Sequence, residues 1–225
     1  MSTEAIWNNA LWSKSYPLFE KAKAIDNQGD FAAAIKQYEA GLSIFPTNVE
    51  QQLRLGADYD RLGQTVKAAN EWRQAIQLAA GAGFGEERYC EGDKLLETRS
   101  FRDAYRAYFT AEFGAGGSVG SDMSVTYTDL GVAPLIHDGL AAAGAGNFPT
   151  AMRELESAWN KDPTLQDSNF FLAGVKYQAG DLRAARAYWE TVLDHSDWAL
   201  PGQNAPSRIS LAAATLLLWL PWRNH

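Results

Sequence analysis

Residues 29–46 read GDFAAAIKQYEAGLSIFP, a stretch that joins a Gly-Asp turn to small and aromatic residues at helical spacing. Its marked positions are a turn, two aromatic residues, an alanine and a closing proline: Gly29, Asp30, Phe31, Ala34, Tyr38 and Pro46. The pattern returns 34 residues later at Gly63, Ala68, Trp72 and Ala80. A period between about 20 and 50 residues is typical of repeat proteins, so the sequence predicts stacked copies of one unit.

Three further copies of the pattern follow along the chain. The third comes after a shift of 36 residues and contains Ser100, Phe101, Ala104, Tyr108 and Ala111. The fourth follows a longer insertion, at Gly146, Asn147, Phe148, Ala151, Leu155, Ala158 and Pro163. The fifth lies another 34 residues on, at Gly180, Asp181, Leu182, Ala185 and Trp189. The third copy departs from the pattern because Arg99 stands where the turn glycine is expected.

The pattern predicts two antiparallel helices in each unit, joined at a turn where glycine adopts a left-handed backbone most easily. Small residues recur where the two helices are expected to approach closely. In the first helices they are Ala22, Gly56, Gly92, Gly139 and Ala173, and in the second helices Ala34, Ala68, Ala104, Ala151 and Ala185. Aromatic residues between them are expected to fill the layer between stacked units.

With these residues the chain resembles the tetratricopeptide-repeat (TPR) family, with units near residues 15–48, 49–82, 85–118, 132–165 and 166–199. The resemblance implies an all-α fold: an α-solenoid of about five TPR-like helix pairs, with a C-terminal capping helix and one irregular insertion. An irregular helical bundle is the alternative, and the repeated Gly-Asp-aromatic turns argue against it.

The predicted organisation has five segments. An N-terminal segment or capping helix covers residues 1–14, units one to three cover 15–118, and units four and five cover 132–199. Residues 119–131 form the irregular insertion, interpreted as a surface connection in preference to a short extended segment laid against the solenoid or a partner. Residues 200–225 form an apolar C-terminal capping helix and tail.

Charge and cysteine content exclude several functions. The net charge is −7 and no dense run of Lys or Arg occurs, so nucleic acid is not expected as a partner. A single cysteine, Cys90, cannot form an intramolecular disulfide, and the N-terminus does not resemble a secretory signal. The apolar stretch at residues 209–222 is shorter than the roughly 20 residues that span a bilayer. We therefore expect a cytoplasmic protein that is not an integral membrane protein.

The sequence predicts no catalytic residue, no metal site and no cofactor. The three histidines, His137, His195 and His225, have no partner at metal-ligand spacing. The glycine-rich stretch at residues 114–120 lacks the Lys-Ser or Lys-Thr of a phosphate-binding loop. An enzymatic function is therefore not expected.

TPR-like pairs create a concave groove lined mainly by first helices, and grooves of this kind hold peptides. Family geometry places eight of the predicted partner-binding residues there: Phe19, Lys23, Leu53, Arg54, Arg61, Tyr89, Phe170 and Tyr177. The Lys and Asn positions with which some TPR proteins grip a chaperone's terminal carboxylate are largely missing. This mixture of apolar, aromatic and charged residues instead favours an extended or helical segment of a partner protein.

The C-terminal segment from Ser207 to Trp222 has two interpretations. As a helix over the fifth unit it buries its leucines within the chain, which is the interpretation we favour. As an exposed patch it adds Trp219 and Trp222 to the predicted partner-binding residues and docks on a partner, a second copy of the chain or a membrane-bound complex. Ile6, Trp7, Leu11 and Trp12 are interpreted as a short capping helix at the other end.

The predicted function is therefore a non-catalytic protein-interaction module or scaffold, either alone or as a subunit of a larger assembly. The alternative is a chaperone or assembly factor that shields an apolar segment of a client, and the two differ in how long the partner stays bound. The sequence leaves the oligomeric state open.

Overall fold

The computed structural model describes residues 9–81, 92, 94–96, 98–113, 131–195 and 208–219. Ten helices have bounds within these ranges, residues 92 and 94–96 are also helical, and the described residues contain no strand. The helices are α1 (Asn9–Asp26), α2 (Phe31–Ile44), α3 (Val49–Arg61), α4 (Thr65–Gly81), α5 (Phe101–Phe113), α6 (Ala133–Gly144), α7 (Phe148–Lys161), α8 (Gln166–Gln178), α9 (Leu182–Asp194) and α10 (Arg208–Trp219).

The helices pack as hairpins in two compact units. Unit 1 comprises Met1–Gly85 with Ser196–Ala214, and unit 2 comprises Glu86–His195 with Thr215–His225. In unit 1, α1 pairs with α2 and α3 with α4, and α2 packs on α3. In unit 2, α5 packs on α6, α6 pairs with α7 and α8 with α9, and α7 packs on α8. The predicted all-α fold of TPR-like helix pairs, stacked in chain order within each unit, is confirmed.

Five turns with one hydrogen-bond pattern mark the repeat. In the first, the amide of Gly29 donates to the carbonyl of Asp26 and the amide of Asp30 to that of Ile25. The same two backbone hydrogen bonds form in each of the five turns. The residues with positive φ in these turns are, in order, Gly29, Gly63, Arg99, Gly146 and Gly180. This is the Schellman arrangement that ends a helix. The predicted register is therefore confirmed, including the 36-residue step that places Arg99 at a glycine position with φ 61°.

The residue after the turn explains the Gly-Asp part of the pattern. The carboxylate of Asp30 accepts a hydrogen bond from the amide of Ala33 at 3.1 Å, which caps α2. Asn147 caps α7 through the amide of Thr150, and Asp181 caps α9 through the amide of Ala184. Each cap stabilises its helix by about 1 kcal/mol, because it satisfies an amide that the helix leaves without a partner.

The small residues lie inside the hairpins as predicted. Ala22 and Ala173 on first helices are fully buried, and so are the five second-helix alanines: Ala34, Ala68, Ala104, Ala151 and Ala185. Gly56 and Gly139 are also buried and leave no room for a side chain, since an added Cβ would overlap Trp72 or Leu155. Close contact between paired helices therefore depends on these positions.

The predicted N-terminal boundary falls inside a helix. Residues 9–14 belong to α1, which continues to Asp26 with Pro17 in its interior. The hydroxyl of Ser15 donates to the carbonyl of Leu11 at 2.8 Å, one turn before the proline. The described part of the N-terminal segment is thus part of the first repeat helix, while Ile6 and Trp7 lie outside the described residues.

The insertion and the C-terminal tail are described only at their edges. Of residues 119–131, only Gly131 is described, so the predicted surface connection lies outside the described residues. Helix α10 agrees with the predicted C-terminal helix, and Trp222 lies beyond the described part of the chain. Among the described helices, none combines the length and apolar character needed to cross a membrane.

Candidate partner-binding surface

One side of α3 carries charged residues at spacings of four, four and three residues: Glu50, Arg54, Asp58 and Arg61. Ala57 lies on the same side, because residues three and four apart are neighbours on a helix surface. We call these five residues the α3 face. It includes two of the predicted partner-binding residues, Arg54 and Arg61.

Ion pairs connect the charged groups of the α3 face. Nε of Arg54 lies 3.3 Å from Oε1 of Glu50, and the exposed fractions of the two side chains are 3% and 10%. Nη1 of Arg61 lies 3.2 Å from Oδ1 of Asp58 and 3.6 Å from Oδ1 of Asp26 on α1. The Arg61 guanidinium also lies 5.0 Å from the ring centroid of Phe31. The α3 face is therefore a pre-arranged charge network, which also connects α3 to the first hairpin.

Two glutamines beside this network are buried as well. The amide nitrogen of Gln52 donates to the carbonyl of Pro46 at 2.9 Å. Asn169, at the same position of the fifth repeat, donates to the carbonyl of Pro163 at 2.7 Å, so this bond belongs to the repeat pattern. The side-chain oxygens Oε1 of Gln51 and of Gln52 are both buried with no hydrogen-bond partner in the described part of the chain. Gln51 adds an unused acceptor next to the α3 face.

The whole of α3 from Val49 to Asp60 is buried. This differs from the open groove expected from the repeat pattern, in which the first helices face the partner. Burial of ionised groups is costly unless they are paired, and the Glu50–Arg54 and Asp58–Arg61 pairs reduce that cost. In this structure the α3 face is therefore covered by the chain itself.

The corresponding helix of unit 2, α8, has an aromatic surface in place of a charged one. Phe170 packs edge-on against Phe171 with 5.3 Å between ring centroids, and Trp189 of α9 lies 6.5 Å from Phe170. Tyr177 contacts Phe101 of α5 and Trp189, with centroids 6.1 Å apart in each case. Aromatic groups of three helices therefore meet at α8.

Tyr105 of α5 packs against α8 at Gly174. Its side chain is fully buried, and a Cβ added to Gly174 of α8 would lie 2.6 Å from its hydroxyl oxygen. Only glycine allows that approach. Burial raises the pKa of Tyr105 well above its ordinary value, so its hydroxyl stays neutral. As in unit 1, the first-helix residues of unit 2 are packed within the chain.

The structure separates the predicted partner-binding residues into buried and accessible ones. Leu53, Arg54, Phe170 and Tyr177 are buried. Phe19 is buried too and packs inside the α1–α2 hairpin, where its ring fills the space beside Gly41.

Lys23 and Arg61 keep 25% and 15% of their side-chain surface exposed. Tyr89, Trp222 and the side chain of Trp219 lie outside the described residues. A binding role for these residues stays a prediction.

Sequence reasoning named the arginines of the α3 face but not their partners Glu50 and Asp58. The signal was present, since Glu50 precedes Arg54 by four residues and Asp58 follows it by four, a spacing that pairs opposite charges on a helix. Lone charges on a helix usually point to solvent, and no local pattern reports that this side is buried.

A second polar cluster joins α2, α3 and α4 on another side of α3. The hydroxyl of Tyr59 donates to the Glu39 carboxylate, and Nζ of Lys67 lies 4.9 Å from the Tyr59 ring centroid. Burial raises the pKa of Tyr59, and the Glu39 contact raises it further. Burial raises the pKa of Glu71 as well, and the negative charge of Glu39 adds to the shift. The fifth repeat has Lys176 bonded to Glu156 at the positions of Tyr59 and Glu39, so this cluster connects neighbouring helix pairs.

Helix α10 is enclosed along its described length. Ser210, Ala213, Ala214 and Leu216 are fully buried, and no residue from Ile209 to Leu218 is exposed. The described part of the chain holds no group of three or more His, Cys, Asp or Glu residues placed to bind a metal ion.

Comparisons with known proteins give structural likeness only. No protein-family model matches the chain, and a search of curated proteins gives no significant match. Among solved structures, PilF of Pseudomonas aeruginosa is 14% identical with a TM-score of 0.39, and the match covers 84% of this chain and 80% of that one. PilW, described as a type IV pilus biogenesis factor, is 18% identical with a TM-score of 0.39, with coverage of 86% and 81%. MamA is 18% identical with a TM-score of 0.29, with coverage of 83% and 97%. With TM-scores this low, none of these likenesses assigns a family or a function to this chain.

Proposed function

We propose that this protein is a non-catalytic interaction module or scaffold that binds a segment of a partner protein on the first helices of its TPR-like repeats. The observation that carries the proposal is the charge network of the α3 face. A helix needed only for packing would carry apolar residues there, because replacing buried ion pairs with well-packed apolar residues is often neutral or stabilising. A network retained on a first helix fits the recognition of a polar or charged segment.

The partner-binding residues of this proposal are those expected from the sequence except Phe19, whose ring packs inside the α1–α2 hairpin, and Lys23 and Arg61 are the points of first contact. Both are partly exposed, and Arg61 connects to the buried part of the network through Asp58 and Asp26. An acidic group on the partner would approach these two cations before it reached Arg54. We also propose that the protein is cytoplasmic, in line with its single cysteine.

Site-specific photo-cross-linking tests the proposal. A benzophenone amino acid replaces Lys23 in one version of the full chain and Arg73 in another, and both are activated in cells that express the protein. Arg73 is exposed on the second helix α4 and serves as the matched control, since its replacement removes the same charge from the same unit. We expect one discrete cross-linked protein from position 23, its loss when Arg61→Glu is added, and no such product from position 73.

Equal cross-linking at both positions, or none at position 23, would contradict binding at the first helices. The time for which the partner stays bound separates a scaffold from an assembly factor. A partner that co-purifies in stoichiometric amount without cross-linking is a permanent subunit, whereas one captured only by cross-linking during synthesis of new protein is a client.

A further inference from the structure

Neighbouring repeats of this chain meet at one particular position of the first helix. In α3 that position is Tyr59, which donates a hydrogen bond to Glu39 of the preceding second helix α2. In α8 it is Lys176, whose Nζ lies 3.1 Å from Oε1 of Glu156 on the preceding second helix α7. We call the side of a first helix that carries this position its stacking side.

Helix α6 leaves its stacking side exposed, although the second helix α5 precedes it in the chain. One turn before the stacking position, α3 and α8 have the buried leucines Leu55 and Leu172. The same position of α6 holds Asp138, whose side chain is 66% exposed. Helix α5 packs on α6, as chain order predicts, but not in the way that α2 packs on α3 or α7 on α8.

The contact between α5 and α6 lies on another side of α6, which is equivalent to the α3 face. A Cβ added at Gly144 of α6 would lie 3.3 Å from Cγ of Arg106 on α5. The repeat register places Gly144 at the position of Arg61, a member of the α3 face. In a stack of helix pairs, this side of the first helices lines the concave groove. We call it the groove side.

Aromatic residues of α5 pack on the groove side of α8 as well. The hydroxyl oxygen of Tyr105 would lie 2.6 Å from a Cβ added at Gly174, which has the repeat position of Ala57 in the α3 face. The Phe101 ring contacts that of Tyr177, with centroids 6.1 Å apart. Phe101 and Tyr105 are four residues apart and therefore lie on one side of α5. Helix α5 thus occupies the groove of the last two repeats.

The groove has a shape that suits a helix with large side chains. Glycines stand at its points of closest approach, Gly144 and Gly174, so the backbone and the rings of α5 can come close to it. In the sequence, α5 has an aromatic residue at every fourth position: Phe101, Tyr105, Phe109 and Phe113. Helices that bind in apolar grooves carry anchor residues at such spacings.

We propose that the groove side of α6 and α8 is a helix-binding site, that α5 occupies it as a ligand supplied by the chain itself, and that a partner helix binds there by replacing α5. The partner helix carries aromatic residues at every fourth position along one side, as α5 does. The replacement step rests on the proposed function, since it needs a partner, whereas the occupancy by α5 does not.

The test holds or releases α5 in a single protein without any partner. Arg106→Cys and Gly144→Cys are introduced into the full chain, and Cys90→Ser removes the native thiol. The 3.3 Å contact between positions 106 and 144 is short enough for a disulfide, which fixes α5 in the groove until it is reduced. Phe101→Ala, at a half-buried position, weakens the packing of α5 so that the reduced protein can release it. The probe is a fluorescent synthetic peptide with the sequence of residues 98–113.

We expect the reduced protein to bind the peptide at least 10-fold more tightly than the oxidised protein. The matched control lacks Gly144→Cys, cannot form the disulfide, and should bind equally in both states. A peptide with Tyr105→Ala should bind at least 10-fold more weakly, because it lacks the ring that packs on Gly174. A peptide with Asp103→Asn should keep its affinity, since Asp103 is exposed on α5.

Three results would overturn the proposal. If the two cysteines do not form a disulfide, α5 does not lie on the groove side of α6. If the oxidised and reduced proteins bind the peptide equally, the peptide binds outside the groove. If neither binds it, or if circular dichroism shows that reduction unfolds the chain, α5 is a fixed part of the core and no partner helix could replace it. Because no partner enters the experiment, each of these results leaves the cross-linking test at Lys23 independent.

Discussion

Gly56 of α3 lies against the indole ring of Trp72 of α4. A Cβ added at Gly56 would come within 2.2 Å of Nε1 of Trp72, and that Nε1 donates a hydrogen bond of 3.1 Å to the carbonyl of Leu53. The indole is buried, so it cannot rotate away without losing both its packing and its hydrogen bond. The glycine and the tryptophan together set the separation of the two helices in the second repeat.

Gly56→Ala should therefore destabilise the protein by about 1–3 kcal/mol, because overpacking outweighs the roughly 1 kcal/mol that alanine gains over glycine inside a helix. Urea denaturation followed by circular dichroism measures the loss. Gly139→Ala is the matched control at the same position of the fourth repeat, where the neighbour is the more adaptable Leu155 at 2.8 Å, and its loss should be smaller. A Gly56→Ala protein as stable as the parent would show that the indole has room to move.

Arg99 occupies a left-handed turn position that glycine fills in the other four turns. The side chain is exposed, so Arg99→Gly removes little packing and relieves a backbone conformation that costs a non-glycine residue about 1 kcal/mol. Glycine's greater freedom in the unfolded chain offsets part of this, and we expect a gain of about 0.5 kcal/mol.

The reverse exchange is the control for Arg99. Gly63→Arg places an arginine at the same turn position with nothing within 4 Å of the added Cβ, so only the backbone is strained. It should lose about 1 kcal/mol. If both substitutions lowered the urea midpoint, the backbone would not be the cause.

The Glu50–Arg54 pair gives a test of the charge network itself. Arg54→Met leaves the Glu50 carboxylate buried without this cation, and breaking a buried pair on one side costs about 3–5 kcal/mol. The double variant Glu50→Gln with Arg54→Met should recover most of that loss, because it removes both charges. All four members of the cycle are compared by urea denaturation. Additive losses would show that the two residues do not act as a pair.

Glu71 predicts a pH dependence of stability. Its folded-state pKa is raised by burial and then by Glu39, so the ionised carboxylate is less favourable in the folded state than in the unfolded chain. This loss of stability is absent below the pKa of Glu71 in the unfolded chain and fully present above its pKa in the folded protein. Stability should thus fall as pH rises through that interval.

Glu71→Gln should raise the melting temperature by about 1–2 °C at pH 7.5 and leave it unchanged near pH 3.5. Glu20→Gln, at an exposed carboxyl group on α1, controls for the loss of one negative charge from a chain of net charge −7. A melting temperature that rises equally in both variants would assign the effect to net charge and not to burial.

The repeat was predictable because its signals are local. The backbone of a single hairpin requires three kinds of residue: a left-handed turn residue, an N-cap one position later, and alanines where the two helices are in close contact. Gly29, Asp30 and Ala34 therefore identify the first hairpin, and even Arg99 was placed correctly by its spacing. Pro17 shows the limit of local signals, since a proline usually ends a helix and α1 continues through it.

The binding surface was less predictable because burial depends on distant segments. Arg54 looks like a solvated helix residue, and only the packing of other segments onto α3 buries it. Phe19 was assigned to the groove, yet its ring fills the space beside Gly41, a glycine of α2 that the repeat pattern does not mark. The sequence shows that both residues of such a contact are present, but it does not show that they lie close together in the folded chain.

The central claim is that the first helices of the repeats hold a segment of a partner protein. Hydrogen exchange measured by mass spectrometry tests this most directly, by comparing the full chain alone with the full chain cross-linked at position 23 to its partner. We predict that the partner adds protection to amides of the first helices α1 and α3. Unchanged protection in α1 and α3, with new protection confined to the second helices α4 and α9, would contradict the claim.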